Sequence, residues 1–346
     1  MNSSRLPRVA LSLIISGLLS LGLVTSASAG DEKADLKQRA FCIFDPVGAN
    51  GPLFSLMQSS RPAAMEEGID LRLRAYTSEA IAAEEFRAGQ CDAVLLTGTM
   101  ARDFNRFTGS LDAMGAIPGE AEMRMMMQVL SQENARQYLE QDGYEVAGIL
   151  PAGGVYLFVR DRDINSVEKL QGRRIATLDH DLASITMVRH VGASVVGSST
   201  TNFAGRFNNG SVDVAYAPAV AYNPMELYRG LGDKGGIFNY TLAQMNFQIL
   251  LRQDRFPEGY GQRVRDYAFN RIDEAFELIA EAEAEVREDY WMQPTAEQIE
   301  EYDDMLRRVR IQLRDQGEFD ETALRLMRGI RCRIDGSRGE CAEDLE

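Results

Sequence analysis

Several catalytic patterns are missing from this 346-residue sequence: it contains no G-x-S-x-G, G-x-x-x-x-G-K-[ST], H-E-x-x-H or C-x-x-C run. The nucleophile elbow, phosphate loop, zinc-protease helix and dithiol redox pair are thereby excluded. The only histidines, His180 and His190, stand ten residues apart, which is not a recognisable metal-ligand spacing. No catalytic residue, metal site or cofactor is expected. Basic residues are the minority, 37 against 52 acidic ones, for a net charge of −15. That balance disfavours nucleic acid and anionic lipid as partners. A small ligand, which meets only its own pocket, is not excluded by it.

Long apolar runs are equally scarce. The one that stands out, Val9 to Val24, follows Arg5 and Arg8 and ends near Ala27-Ser28-Ala29. This order reads as a secretory signal peptide, residues 1–29, with cleavage after Ala29 and a periplasmic destination. An uncleaved anchor is the alternative. Removing 1–29 takes away two arginines and no acids, moving the charge from −15 to −17. No later stretch approaches the roughly 18 apolar residues of a span, so the mature chain reads as soluble and not as a pump or channel itself.

Cysteine is sparse too, but four residues in an oxidising compartment indicate disulfides. Cys332 and Cys341, with Gly336 and Gly339 between them, suit a small C-terminal loop, and Cys42 and Cys91 then pair by elimination. Closing that larger loop stabilises a chain by about 4 kcal/mol in the chain-entropy picture. Buried free thiols are the alternative.

What is present is alternation. Ala40–Phe44, Leu71–Ala75 and Cys91–Leu96 read as strands separated by helices at 53–65 and 79–87, and a second α/β unit has strands at 155–159, 174–178, 212–216 and 244–251. Beyond Gly259 the chain turns charged and helical. Its acidic run, Glu281 to Glu285, reads as a solvated helix face. Alternating elements of these lengths imply parallel sheets. In such sheets ligands bind at the carboxyl ends of strands, here Phe44-Asp45, Tyr76-Thr77, Thr97-Gly98, Leu178-Asp179 and Tyr216-Ala217. The Gly48–Gly51 turn is a candidate anion cradle, with steric need as the plainer reading. His180, between Asp179 and Asp181, is the better functional histidine, an exposed turn residue being its plainer reading.

A family resemblance rests on Ile164-Asn165-Ser166, Lys169 to Ile175, Val191 to Ser194, Asn209 to Asp213 and Phe86 to Ala93. These segments resemble the solute receptors of tripartite ATP-independent periplasmic (TRAP) transporters. Cys42 to Gly48 and Phe104 to Ala113 are similar to an AdeT-like branch of solute-binding proteins. The resemblance implies a two-lobed α/β periplasmic binding protein of the type II, Venus-flytrap class with long C-terminal helices. Its lobes fall at 30–150 and 151–255, a bracing helical segment at 256–331 and a disulfide-closed tail at 332–346. The implied function is capture of a small ligand in the cleft and presentation to membrane transporter subunits. An accessory periplasmic subunit of an efflux assembly of resistance-nodulation-division type, or of a lipid-transfer assembly, is the alternative. An enzyme is not expected.

In TRAP receptors a buried arginine grips a substrate carboxylate by paired hydrogen bonds. Ala176 occupies that position here, Tyr156 stands where a second arginine is frequent, Ala217 replaces an asparagine before Pro218, and Phe44 replaces a polar residue. The expected cleft is therefore aromatic, with Phe44, Tyr156 and Tyr216 beside Ala176 and with polar contacts from Asp45, Glu79, Thr97 or Asp179. It suits an aromatic, amphipathic or cationic ligand. Arg74, Arg102 or Arg106 reaching in as a substitute clamp is the competing expectation. Export with cleavage after Ala29 is checked by the intact mass of periplasmic protein, which should begin at Gly30; retention of residues 1–29 would contradict the reading.

Overall fold

Strands with apolar inner faces alternate with amphipathic helices from the first described residue. The computed structural model describes residues 36–343, 345 and 346, so the signal peptide and its cleavage point lie outside the described residues. The first lobe is built from β1 (Lys37–Phe44), α1 (Pro52–Ser59), α2 (Arg61–Glu66), β2 (Ile69–Tyr76), α3 (Glu79–Arg87) and β3 (Ala93–Thr97), then α4 (Gly98–Ala101), α5 (Arg106–Gly109), α6 (Glu120–Ser131) and α7 (Arg136–Leu139). A short strand, β4 (Glu140–Gln141), turns into the sixteen-residue β5 (Tyr144–Val159). The second lobe carries β6 (Arg174–Leu178), α8 (Leu182–His190), β7 (Ser194–Ser198), α9 (Phe203–Asn208), β8 (Val214–Pro218) and α10 (Tyr228–Leu231). The seventeen-residue β9 (Gly236–Arg252) returns the chain, followed by α11 (Tyr260–Phe269), α12 (Ile272–Glu285), β10 (Trp291–Met292), α13 (Ala296–Asp315) and α14 (Glu321–Ile334). Among the described residues no helix is long and apolar enough to cross a membrane.

The strand order is β2-β1-β3-β9-β5-β8-β6-β7. β1 pairs in parallel with β2 and β3, and β6 with β7 and β8, as their helical crossovers require. β9 and β5 run antiparallel through both lobes. One end of the pair abuts β3 through Ala93↔Leu251 to Thr97↔Phe247, and the other abuts β8 through Val155↔Pro218 to Val159↔Val214. The strands expected at 155–159 and 244–251 are thus only the ends of longer ones, and residue 150 lies inside β5. Pro151 and Gly153 mark one of the register shifts within the ladder. Gly153 has φ +94°, and a Cβ there would lie 2.9 Å from Ile279 of α12, so both conformation and space require glycine.

Helix α13 begins as its sequence signals, with Thr295 and Gln298 forming a reciprocal capping box. It bridges the lobes: Gln298 Nε2 donates to the Asn165 carbonyl, and Arg310 Nη1 to that of Met114 at 2.6 Å. The acidic run on α12 is not merely solvated. Glu283 accepts from the Tyr156 hydroxyl at 2.7 Å and Glu285 from Asn223 at 2.6 Å, pinning the helix to the second lobe.

Both disulfides form as expected, Cys42–Cys91 joining β1 to the turn before β3 and Cys332–Cys341 closing the tail. The second holds the tail over two fully buried arginines. Arg331 donates to Glu340 (2.7 and 2.8 Å), Glu346 (2.6 Å) and the Ala116 carbonyl (2.6 Å), while Arg310 donates to Glu346 and Met114. Burial works against the Glu340 charge, but hydrogen bonds and charge from Arg331 and Arg310 outweigh it and hold its carboxyl at about 2. Its contribution to stability is present above the ordinary carboxylate range and lost as pH falls toward 2. Urea unfolding should show Arg331→Ala destabilised by about 3–5 kcal/mol, because it removes the main charge partner of two buried carboxylates, with a much smaller loss when Arg331→Met and Arg310→Met are combined with Glu340→Leu and Glu346→Leu. Equal losses in the two proteins would contradict this.

Candidate functional site

The carboxyl ends of strands from both lobes open onto one cavity of about 1390 Å³. From the first lobe come Phe44 at the end of β1, Asp45 after it, Glu79 at the start of α3 and Thr97 at the end of β3. From the second come Leu178, Asp181 at the N-cap of α8, Ser184 and Tyr216. Gln244 and Asn246 of the shared strand β9 form the floor between them.

Asp45 is buried and already engaged: Oδ1 accepts from Val47 N at 2.9 Å and Oδ2 from Phe54 N at 3.0 Å, closing the turn into α1. A Cβ on Gly51 would strike that carboxylate, so the glycine-rich turn serves this packing, and Gly48 N and Gly51 N donate to the Asp45 and Gly48 carbonyls. Thr97 caps α4 by accepting from Met100 N. Glu79 differs from both. It is fully buried, and Oε1 accepts from Thr97 N at 2.6 Å, whereas Oε2 has no hydrogen-bond partner among the described residues. Burial pushes its carboxyl up to about 7 against the two hydrogen bonds from Thr97.

Three positions expected in the cleft stand away from it. Tyr156 projects from β5 into the second lobe's core, edge-on to Trp291 with ring centroids 5.0 Å apart and hydrogen-bonded to Glu283. Alternation along the strand carries its side chain to the face under α12. Ala176 is buried in the same core, and Asp179 is exposed beside Gly197, as is His180. None of the four lines the cavity. Tyr216 does, packed edge-on to Phe203 at 5.4 Å.

A polar network centres on Arg102, which the sequence named as a possible clamp without naming its partners. Nε donates to the Gly109 carbonyl at 2.9 Å, Nη1 to Glu318 at 2.7 Å and Nη2 to Asp112 at 2.5 Å, and the guanidinium lies 4.8 Å from the Phe319 ring centroid. Burial opposes its charge, but Asp112, Asp181 across the cleft and Glu318 hold it protonated. Asp181 is in turn pushed up by burial and by Asp112, against the pull of Arg102. Arg74 and Arg106 are exposed and do not line the cavity. The side-chain nitrogens of Arg102 that face carboxylates are thus occupied by the protein's own. Asp112 lies ten residues from Arg102 and Glu318 more than two hundred, so no local pattern announces the set.

Glu79 makes the site pH-dependent in a defined direction. The folded chain keeps a proton there up to about pH 7, whereas the unfolded chain releases it near 4.5. Stability from this group is full below 4.5 and declines as pH rises to about 7, by roughly 3 kcal/mol. Denaturation midpoints of Glu79→Gln relative to the parent should show this decline in the parent alone; parallel pH curves would contradict the assignment.

The family described as solute-binding protein AdeT 1/2 matches residues 54–346. AdeT1 of Acinetobacter baumannii, described as a probable solute-binding protein, is 38% identical over 301 residues, covering 87% of this chain and 99% of that one. Among solved structures, a TRAP periplasmic solute-binding protein from Desulfovibrio salexigens with bound orotic acid superposes with a TM-score of 0.71 at 13% identity, covering 86% of this chain and 99% of that one. The ectoine-binding protein of the TeaABC TRAP transporter of Halomonas elongata gives 0.70 at 13% identity, covering 87% and 100%. The two-lobed fold is therefore that of TRAP periplasmic receptors, and by sequence the chain belongs to the AdeT 1/2 family of solute-binding proteins.

Proposed function

We propose that the protein, exported by cleavage after Ala29, is a periplasmic receptor that captures a small, largely apolar and non-acidic ligand between its lobes and presents it to membrane transporter subunits. Phe44, Glu79, Thr97 and Tyr216 are its contact residues in this reading, with Asp45 acting through the α1 turn. Tyr156, Ala176 and Asp179 take no part in contact. The observation that carries the reading is that all three guanidinium nitrogens of Arg102 are already engaged. An acid would need paired donors, and these are bonded to Asp112, Glu318 and Gly109, while Asp45, Glu79, Asp112 and Asp181 surround the same space with acidic groups. A carboxylate entering there loses its hydration and meets like charge.

The shared strands β5 and β9 support capture by closure, because the lobes are joined through a ladder interrupted at Pro151/Gly153. Hinge closure around a ligand is a known behaviour of this architecture. The reading requires no bond-making step.

Thermal-shift measurements separate an acidic from a non-acidic ligand class, since a ligand bound only by the native state raises the midpoint by mass action. Neutral amphipathic compounds should raise it and lose most of that effect in Tyr216→Ala. Stabilisation by C4-dicarboxylates or sugar acids, abolished by Arg102→Gln, would overturn the proposal.

A further inference from the structure

The cavity extends far beyond the strand ends. Its lining recurs at helical spacing along two consecutive helices, at Tyr260, Val264 and Ala268 of α11 and then at Ile272, Ala275 and Ile279 of α12. At 1.5 Å per residue, the fourteen residues of α12 alone carry this face for roughly 20 Å. Opposite them runs the α1–α2 wall, from Leu53 to Ala64 and Glu67. An Arg263–Glu67 ion pair of 2.6 Å links the two walls at the far end. The volume, about 1390 Å³, exceeds the roughly 300–1,000 Å³ of ordinary small-molecule sites.

The near end, at Thr97-Gly98, carries two buried polar atoms of opposite character with no partner among the described residues, Glu79 Oε2 and Asn246 Nδ2. They flank the same two residues: Thr97 N donates to the other Glu79 oxygen, and a Cβ on Gly98 would lie 2.7 Å from the Asn246 amide oxygen. The Asn246 oxygen accepts from Gln248 Nε2 at 2.9 Å, which fixes the amide's orientation and leaves its nitrogen as the free donor. Unpaired buried groups are costly. With Glu79 ionised, above about pH 7, a carboxylate has no proton for it, and an ammonium has no lone pair for Asn246. A hydroxyl or carboxamide has both.

Resting on the receptor reading above, we propose that the ligand is a single-chain amphipath with an uncharged hydroxyl- or amide-bearing head. The head donates to Glu79 and accepts from Asn246. The alkyl chain lies between α1–α2 and α11–α12 and points toward Arg263 and Glu67, where the small side chains of Ala64, Ala268 and Ala275 leave it room.

Calorimetric titration of the mature, disulfide-intact protein at pH 8 tests this with four probes: 1-monolauroylglycerol below its micelle concentration, 1-monobutyroylglycerol, sodium laurate and succinate. Each methylene added to the glyceride chain should tighten binding about threefold to fourfold until the channel is filled. Laurate should bind at least about tenfold more weakly than 1-monolauroylglycerol, for want of the head's hydrogen bonds. Ala275→Trp should reduce affinity for the long chain to that for the short one while leaving the short one unchanged, and Asn246→Leu should weaken both. Equal affinity for the two chain lengths in the parent protein would overturn the channel while leaving the receptor reading in place, and this outcome does not depend on any variant folding. Tight binding of succinate with none of either glyceride would overturn both.

Discussion

Everything in this molecule depends on the antiparallel pairing of β5 with β9. These are the two strands that belong to both lobes, so their ladder fixes how the strand ends of one face those of the other. Where it breaks register, at Pro151/Gly153, Ile279 packs against a glycine that no other residue can replace without strain. Helix α12 is drawn against the junction at that point, and its apolar face becomes one wall of the cavity. Tyr156 and Glu283 fasten the same helix from the second lobe. The ligand space therefore follows from strand geometry and not from a dedicated loop.

Electrostatics then decides what that space accepts. Buried carboxylates are tolerated when hydrogen-bonded or protonated. Asp45 is held by backbone N–H groups, Asp181 by Ser184, Asp112 by Arg102 and Thr99, and Glu79 by a rise in its pKa to about 7. Arg102 carries the compensating charge and is oriented by its own lobe and by Glu318 of the segment between α13 and α14. The C-terminal helices thus do more than brace the lobes. Between them stands Glu318, the acid that holds Nη1 of the cleft's arginine.

Features that depend on neighbouring residues were legible in the sequence. Strand ends follow from short apolar runs stopped by turn residues, which placed Phe44, Glu79, Thr97 and Tyr216 around one space, and compartment with cysteine spacing led to both disulfides. Tyr156, Ala176 and Asp179 lie outside that space. Matching a position to a relative's arginine does not say which face of a strand the side chain leaves by, and a bulge between Val155 and Leu157 makes that count unsafe. The α12 wall was hidden by composition, because Ile272, Ala275 and Ile279 are interleaved with Glu274, Glu277 and Glu281 and the helix reads as a solvated one. Its partner face exists only once the chain has doubled back onto the first lobe. The Arg102 and Asn246 networks are long-range for the same reason.

The most direct test of the account is a crystal structure of the protein isolated from its own periplasm without refolding. Ligand density is expected beside Tyr216 and Glu79, with Arg102 still bonded to Asp112 and Glu318. A carboxylate seated in paired hydrogen bonds on Arg102, with those two acids displaced, would contradict it.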